Sequence, residues 1–115
     1  MKARFLWKST CSTCRDARAF LRDELHVELD ERDYAKRPLS LTELKDLFAG
    51  LDPRDYLNPK SPAFKARDLK GKSLTAEQAL GLMLEEPNLL KRPLVVAGQT
   101  IIAGFDRQRL RDRLV

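Results

Sequence analysis

The order of apolar patterns along the chain predicts an α/β domain, β-α-β followed by a helical insert and then β-β-α. Three observations carry this. A short aromatic-rich apolar run opens the chain and leads into a helical repeat of apolar residues. Two Ser/Thr-x-x-Glu/Gln boxes mark helix starts in the middle of the chain. Two β-branched runs separated by a glycine turn come near the end.

In order, Ala3–Trp7 reads as a buried strand, and Lys8-Ser9-Thr10 as the polar loop after it. From Cys11 the spacing becomes helical: Cys14, Ala17 and Leu21 recur on one face, flanked by Phe20 and Leu25. Residues 26–33 alternate, Val27 and Leu29 against Glu28 and Asp30, which predicts a second strand. Pro38 breaks the chain. Ser40-Leu41-Thr42-Glu43 then opens a helix whose stripe is Leu41, Leu44, Leu47 and Phe48, and Gly50 stops it. Pro53, Pro59 and Pro62 make the next stretch loop or short helical turns, and 64–69 one more short helix. Thr75-Ala76-Glu77-Gln78 starts a helix with Ala76, Ala79, Leu80, Met83 and Leu84 on its core face, ended by Pro87. Leu94–Ala97 and Thr100–Ala103 form a hairpin around Gly98, and Gly104 releases a last helix over 106–114 with Leu110 and Leu114 turned inward. One domain of 115 residues, with the helical insert at about 38–88, is the expected organisation.

Composition narrows the function classes. At 43% hydrophobic and 34% charged residues, the chain is neither a disordered tail nor a disulfide-stapled miniprotein. No apolar run approaches the ~18 residues of a membrane span, and the N-terminus turns polar at Lys8, too soon for a secretory segment. A cytoplasmic location without membrane association is expected. The net charge of +5 fits an anionic substrate, an acidic partner or nucleic acid. Because the signs are mostly interleaved, direct nucleic-acid binding is not expected; only Arg107, Arg109, Arg111 and Arg113 form a run.

The chemistry-bearing residues are few. Cys11 and Cys14 are the only cysteines and His26 the only histidine, fewer than the four ligands of a structural zinc site, so no metal is expected. His26 reads as a partly exposed surface histidine. The C-x-x-C sits where a strand hands over to a helix. There the first-turn N–H groups and the helix dipole favour a Cys11 thiolate, Arg15 adds a cation, and Cys14 is one turn away to close a disulfide. Two buried cysteines packed as small apolar residues fit the same spacing. Arg92-Pro93 enters an apolar strand. Its bond is a candidate cis peptide and the Arg92 fork suits an oxyanion, though a strand-starting proline beside a solvated arginine fits as well. Cys11 and Cys14 are the candidate catalytic residues, and Thr10, Ser12, Arg15 and Arg92 the candidate substrate-binding ones.

The segment Lys8–Leu21, containing Cys11-Ser12-Thr13-Cys14, resembles the opening of the ArsC/Spx family of thioredoxin-like proteins. Pro38–Leu44 is similar to the family's first insert helix, and Glu86–Val96 with Gly104-Phe105 to its closing block. The resemblance implies a thioredoxin-like four-stranded mixed sheet with an inserted helical lobe. It also implies one of two activities. Arsenate reductases attack arsenate with a cysteine thiolate, hold the oxyanion with arginines and are recycled by external thiols. Spx-like regulators bind the C-terminal domain of the RNA polymerase α subunit and sense disulfide stress through a C-x-x-C. Cys11 falls on the family cysteine and Arg92 on the arginine before the proline. Asn58 and Phe105 stand where those enzymes carry two further arginines, with Arg54 and Arg107 nearby, and Cys14 is an Spx-like feature. The expected activity is thiol-dependent arsenate reduction, with no bound cofactor and with thioredoxin, glutaredoxin or glutathione as reductant. A polymerase-binding regulator and a general thiol reductase are the alternatives.

Overall fold

A computed structural model describes residues 2–114. The order is β1 (Lys2–Trp7), α1 (Ser12–Ala19), β2 (Glu28–Asp33), α2 (Leu41–Leu47), α3 (Pro62–Ala66), α4 (Ala76–Glu85), β3 (Leu94–Ala97), β4 (Thr100–Ala103) and α5 (Arg107–Leu114). Single helical turns at Pro53–Tyr56 and Pro87–Leu89 join them. The segment Arg37–Lys91 makes one compact unit, and the described residues on either side of it make another.

In the flanking unit the four strands form one mixed sheet in the order β2-β1-β3-β4. β1 runs parallel to β2, with Phe5 opposite Glu31, and antiparallel to β3, with Phe5 opposite Val95. The parallel pair needs a crossover, which α1 supplies. One sheet face presents Ala3, Phe5, Val95 and Ile102, and packs with Ala17, Phe20 and Leu21 and with Leu110 and Leu114 of α5. Leu6 and Leu94, on the opposite face, are also buried. The central strands β1 and β3 therefore bury both faces, and their near-continuous apolar sequences reflect it.

The helix after Cys11 is not uniform. It ends in a wider turn, Phe20–Glu24, in which the Leu25 N–H donates to the Phe20 carbonyl at 3.1 Å. His26 follows in the left-handed region at φ 55°, a position usually taken by glycine or asparagine. It turns Val27 into the core, so β2 begins at Glu28 rather than at His26.

In the unit Arg37–Lys91 both predicted boxes are formed. The Ser40 hydroxyl accepts from Glu43 N–H at 3.1 Å and the Glu43 carboxylate from Ser40 N–H at 3.0 Å. Thr75 and Gln78 repeat the arrangement at 3.1 and 2.8 Å. Ser40→Ala removes an acceptor from the first turn of α2 and is expected to cost about 1 kcal/mol, read by chemical denaturation. Three stripe residues are corrected by the structure: Leu41 and Leu84 are 40% and 43% exposed, and Ala76 is exposed too. The α2–α4 contact runs along Leu44 and Leu47, and along Ala79 and Met83, whose four-residue spacing sets the buried line. Leu41 lies in the first turn before that line and Leu84 beside it, and Ala76 is exposed for the same reason as Leu41. The short helix expected over 64–69 starts earlier, at Pro62, because the Ser61 hydroxyl caps it at Ala63 N–H (3.2 Å) and proline fits the first helical position.

Candidate active site

β1 ends at Trp7, and the chain then makes a tight loop in which Cys11 N–H donates to the Lys8 carbonyl at 2.9 Å. Cys11 is the N-cap residue of α1, in extended conformation (φ −89°, ψ 121°), with its carbonyl accepting from Arg15 N–H. Its sulfur is therefore at the end of the helix where N–H groups lack intrahelical partners. Cys14, one turn inside, is fully buried, while Cys11 is partly exposed; both are free thiols.

The two sulfurs are electrostatically different. Partial burial alone would raise the Cys11 pKa. The Cys14 backbone N–H, the Cys14 thiol, and then the hydrogen bond and charge of Arg92 outweigh it and hold Cys11 below the ordinary thiol range. Cys14 is pushed up to about 12, first by burial, against a backbone hydrogen bond at Lys8, and further by the neighbouring Cys11 sulfur. Cys11 thus gives up its proton more readily than an ordinary thiol, and Cys14 far less readily.

Arg92, joined to Pro93 by a cis peptide bond at the entrance to β3, brings its guanidinium to Cys11. Arg15 does something else. Its Nη1 donates to the Ser9 carbonyl at 3.0 Å and braces the loop, so the cation that bears on Cys11 is Arg92. Thr10 and Ser12 flank Cys11 and are both exposed. The two arginines near the substituted family positions are engaged. Arg54 grips Asp52 through Nε and Nη2 (3.0 and 2.7 Å) and donates to the Leu74 carbonyl. Arg107 lies on the rings of Phe105 and Phe20, with its Cζ 4.4 and 5.8 Å from their centroids. Arg111 also sits over Phe20, so half of the basic run on α5 is packed on aromatic surface.

Two residues of the site have no motif in the sequence. Asp33, the last residue of β2, accepts from the Ser9 hydroxyl at 2.6 Å and from Ser9 N–H at 3.1 Å with one oxygen. Its other oxygen accepts from Ala35 and Lys36 N–H. It therefore ties the Cys11 loop to the end of β2. Slight burial works against ionisation, but the Ser9 contacts and then the two N–H groups hold this carboxyl below the usual carboxylate range. Since the folded midpoint is the lower one, the stabilisation is complete above the ordinary carboxylate range and is lost as pH falls through Asp33's depressed midpoint. Asp33→Ala is expected to cost about 1–2 kcal/mol at neutral pH and less in acid, measured as denaturation midpoints across pH. Tyr34, the next residue, points the other way. It is 1% exposed, and its hydroxyl lies within electrostatic reach of Arg92, Cys14 and Cys11.

Comparison with known proteins identifies the family. The family model described as the ArsC family matches residues 6–112. YusI of Bacillus subtilis is 31% identical over 116 residues, covering 97% of this chain and 98% of that protein. The global transcriptional regulator Spx of Listeria monocytogenes is 29% identical over 106 residues, covering 89% and 79%. The arsenate reductase structure from Vibrio cholerae superposes with a TM-score of 0.81 at 23% identity over 100% of this chain and 98% of that one, a likeness of fold. With a match running through nearly all of its length, from the end of β1 into α5, the chain belongs to the ArsC family, on a thioredoxin-like α/β fold.

Proposed function

We propose that this protein is a thiol-dependent oxidoreductase that reduces arsenate to arsenite, with Cys11 as nucleophile and Cys14 as the resolving thiol. The observation that carries the reading is the division of labour between the two sulfurs: a partly exposed Cys11 favoured as thiolate, in contact with a buried Cys14 that stays protonated. The Cys11 thiolate attacks arsenic, and an arsenate oxygen leaves as water after taking up protons. Arg92 balances the oxyanion's charge, and the hydroxyls of Thr10 and Ser12 donate hydrogen bonds to its oxygens. Cys14 then attacks the Cys11 sulfur. The S–S bond forms, the S–As bond breaks with its electron pair remaining on arsenic, and the Cys14 proton passes to the departing arsenite. Thioredoxin, glutaredoxin or glutathione returns the disulfide to two thiols. With Arg54 and Arg107 already engaged, arsenate binding is expected to be weak.

A second reading is favoured by the two-cysteine arrangement together with the similarity to Spx: the same disulfide serves as a redox switch on binding to the C-terminal domain of the RNA polymerase α subunit. Arsenate-dependent NADPH oxidation in thioredoxin- and glutaredoxin-coupled assays separates the two. The enzyme reading requires turnover that stalls in Cys14→Ser and is restored by glutathione. Absence of any arsenate-dependent signal, with redox-dependent capture of the polymerase domain, would overturn it in favour of the switch.

A further inference from the structure

Arg92 Nη1 and Tyr34 Oη are both sealed from solvent, and neither completes a hydrogen bond within the chain. Such atoms are rare in folded proteins and call for an explanation. These two are neighbours, for the guanidinium interacts with both the phenol and Cys11. They are also complementary, one an N–H donor and the other a hydroxyl oxygen that can accept. A hydrogen bond from Nη1 to the hydroxyl oxygen would satisfy both atoms at once.

We propose that Tyr34 is a positioning residue for Arg92, its buried hydroxyl holding the guanidinium turned toward the Cys11 sulfur. The inference rests on the reading of Cys11 as the reactive thiol. The chemistry of the partner fits the task. An aspartate or glutamate at this place would pin the fork equally well, but its charge would cancel the one offered to Cys11. A phenol whose ionisation burial has pushed up to about 12 stays neutral, so it fixes the fork and leaves the positive charge to the sulfur. The backbone supplies the register: Tyr34 N–H donates to the Trp7 carbonyl at 3.1 Å, at the point where β1 releases the Cys11 loop. Asp33 and Tyr34, adjacent in sequence, thereby fix the two sides of the site, one through the Ser9 hydroxyl and amide and the other through Arg92. The groups facing Cys11 are Cys14 from α1 and Arg92 from the start of β3, with Tyr34 from the end of β2 also within reach.

The test is the pH dependence of Cys11 alkylation by iodoacetamide, with no substrate present, in the full chain. Tyr34→Phe removes the hydroxyl that holds Arg92 and keeps the buried ring, so folding is expected to persist. The alkylation midpoint should move up, and the rate below the wild-type midpoint should fall about threefold to tenfold, the effect of a half-unit to one-unit rise. In an Arg92→Met background the same change should add nothing, because Tyr34 acts through Arg92. An unmoved or lowered midpoint in Tyr34→Phe, or an equal shift in both backgrounds, overturns the positioning role. A wild-type Cys11 that titrates like an ordinary thiol overturns instead the reading of it as the nucleophile. Hydrogen exchange of the Arg92 guanidinium protons, followed by nitrogen NMR in the unaltered protein, is an independent check: slow exchange supports a pinned fork, and exchange at the rate of free arginine overturns it.

Discussion

Cys11→Ser is expected to abolish the proposed reductase turnover and, with it, the thiolate ultraviolet absorbance expected of the wild-type protein below the pH at which a free thiol ionises. The folded state should be retained. The reason for the size of the effect lies in what the site can stabilise. The Cys14 N–H and thiol, and the Arg92 guanidinium, hold a sulfur anion whose pKa starts at 9.0 and moves down from there. A serine hydroxyl starts far higher, and the same interactions leave it protonated at neutral pH. It also cannot form the sulfur–sulfur bond through which two electrons reach the substrate. Loss should therefore reach the background rate of arsenate with external thiols alone. A coupled NADPH assay measures it, and retention of substantial turnover in Cys11→Ser would remove the proposed nucleophile. Cys14 gives the contrast. With its pKa near 12 it contributes no thiolate at neutral pH, so alkylation of the native protein should label Cys11 and spare Cys14.

The parts of this molecule legible in its sequence are those governed by local rules. Both capping boxes were readable because a hydroxyl and a carboxylate (Glu43) or side-chain amide (Gln78) sit three residues apart whatever the rest of the chain does. The β3–β4 hairpin was readable because Gly98 lies between two apolar runs, and it adopts φ 60° there. The cysteine pair was readable because a strand-to-helix junction fixes where Cys11 and Cys14 stand relative to the first helical turn. What stayed hidden depends on contacts between residues distant in sequence. Asp33 looks like one more charged residue at the end of a strand until β1–β2 pairing sets Trp7 opposite Asp33 and brings the Ser9 loop to its carboxylate. Tyr34 carries no signal of its own, since only the sheet determines that it faces Arg92. Arg15 was nearest to Cys11 along the chain, yet Arg92, eighty-one positions away, is the cation that reaches the sulfur. Arg107 illustrates the same limit: its aromatic partner Phe20 is recruited by the packing of α5 and could not be inferred from a run of alternating arginines.

Phe5→Ala is expected to have the largest effect on stability, about 3–5 kcal/mol, the usual cost of emptying a buried phenylalanine site. Phe5 is fully buried at the middle of β1, between β2 on one side and β3 on the other, with its ring 5.7 Å from that of Trp7. Its side chain fills the sheet face that packs with Ala17, Phe20, Leu21 and Leu110, a centre with little freedom to collapse into the space left behind. At roughly 4 °C per kcal/mol for a chain of this size, the thermal midpoint should drop by more than about 10 °C. The same strand ends at Trp7, two residues on, and there releases the Cys11 loop, so the candidate site inherits its position from this core. In the fraction of Phe5→Ala molecules that remain folded, the Ser9–Asp33 tie and the Arg92 contact still define the site, and the Cys11 titration should keep its depressed midpoint. A chemical-denaturation curve and an alkylation profile on one preparation measure the two quantities separately. A large loss of stability with an unmoved Cys11 midpoint would place the acidity of the thiol in its immediate polar neighbours rather than in the rigidity of the sheet. A midpoint that rises in step with the lost stability would assign it to the sheet.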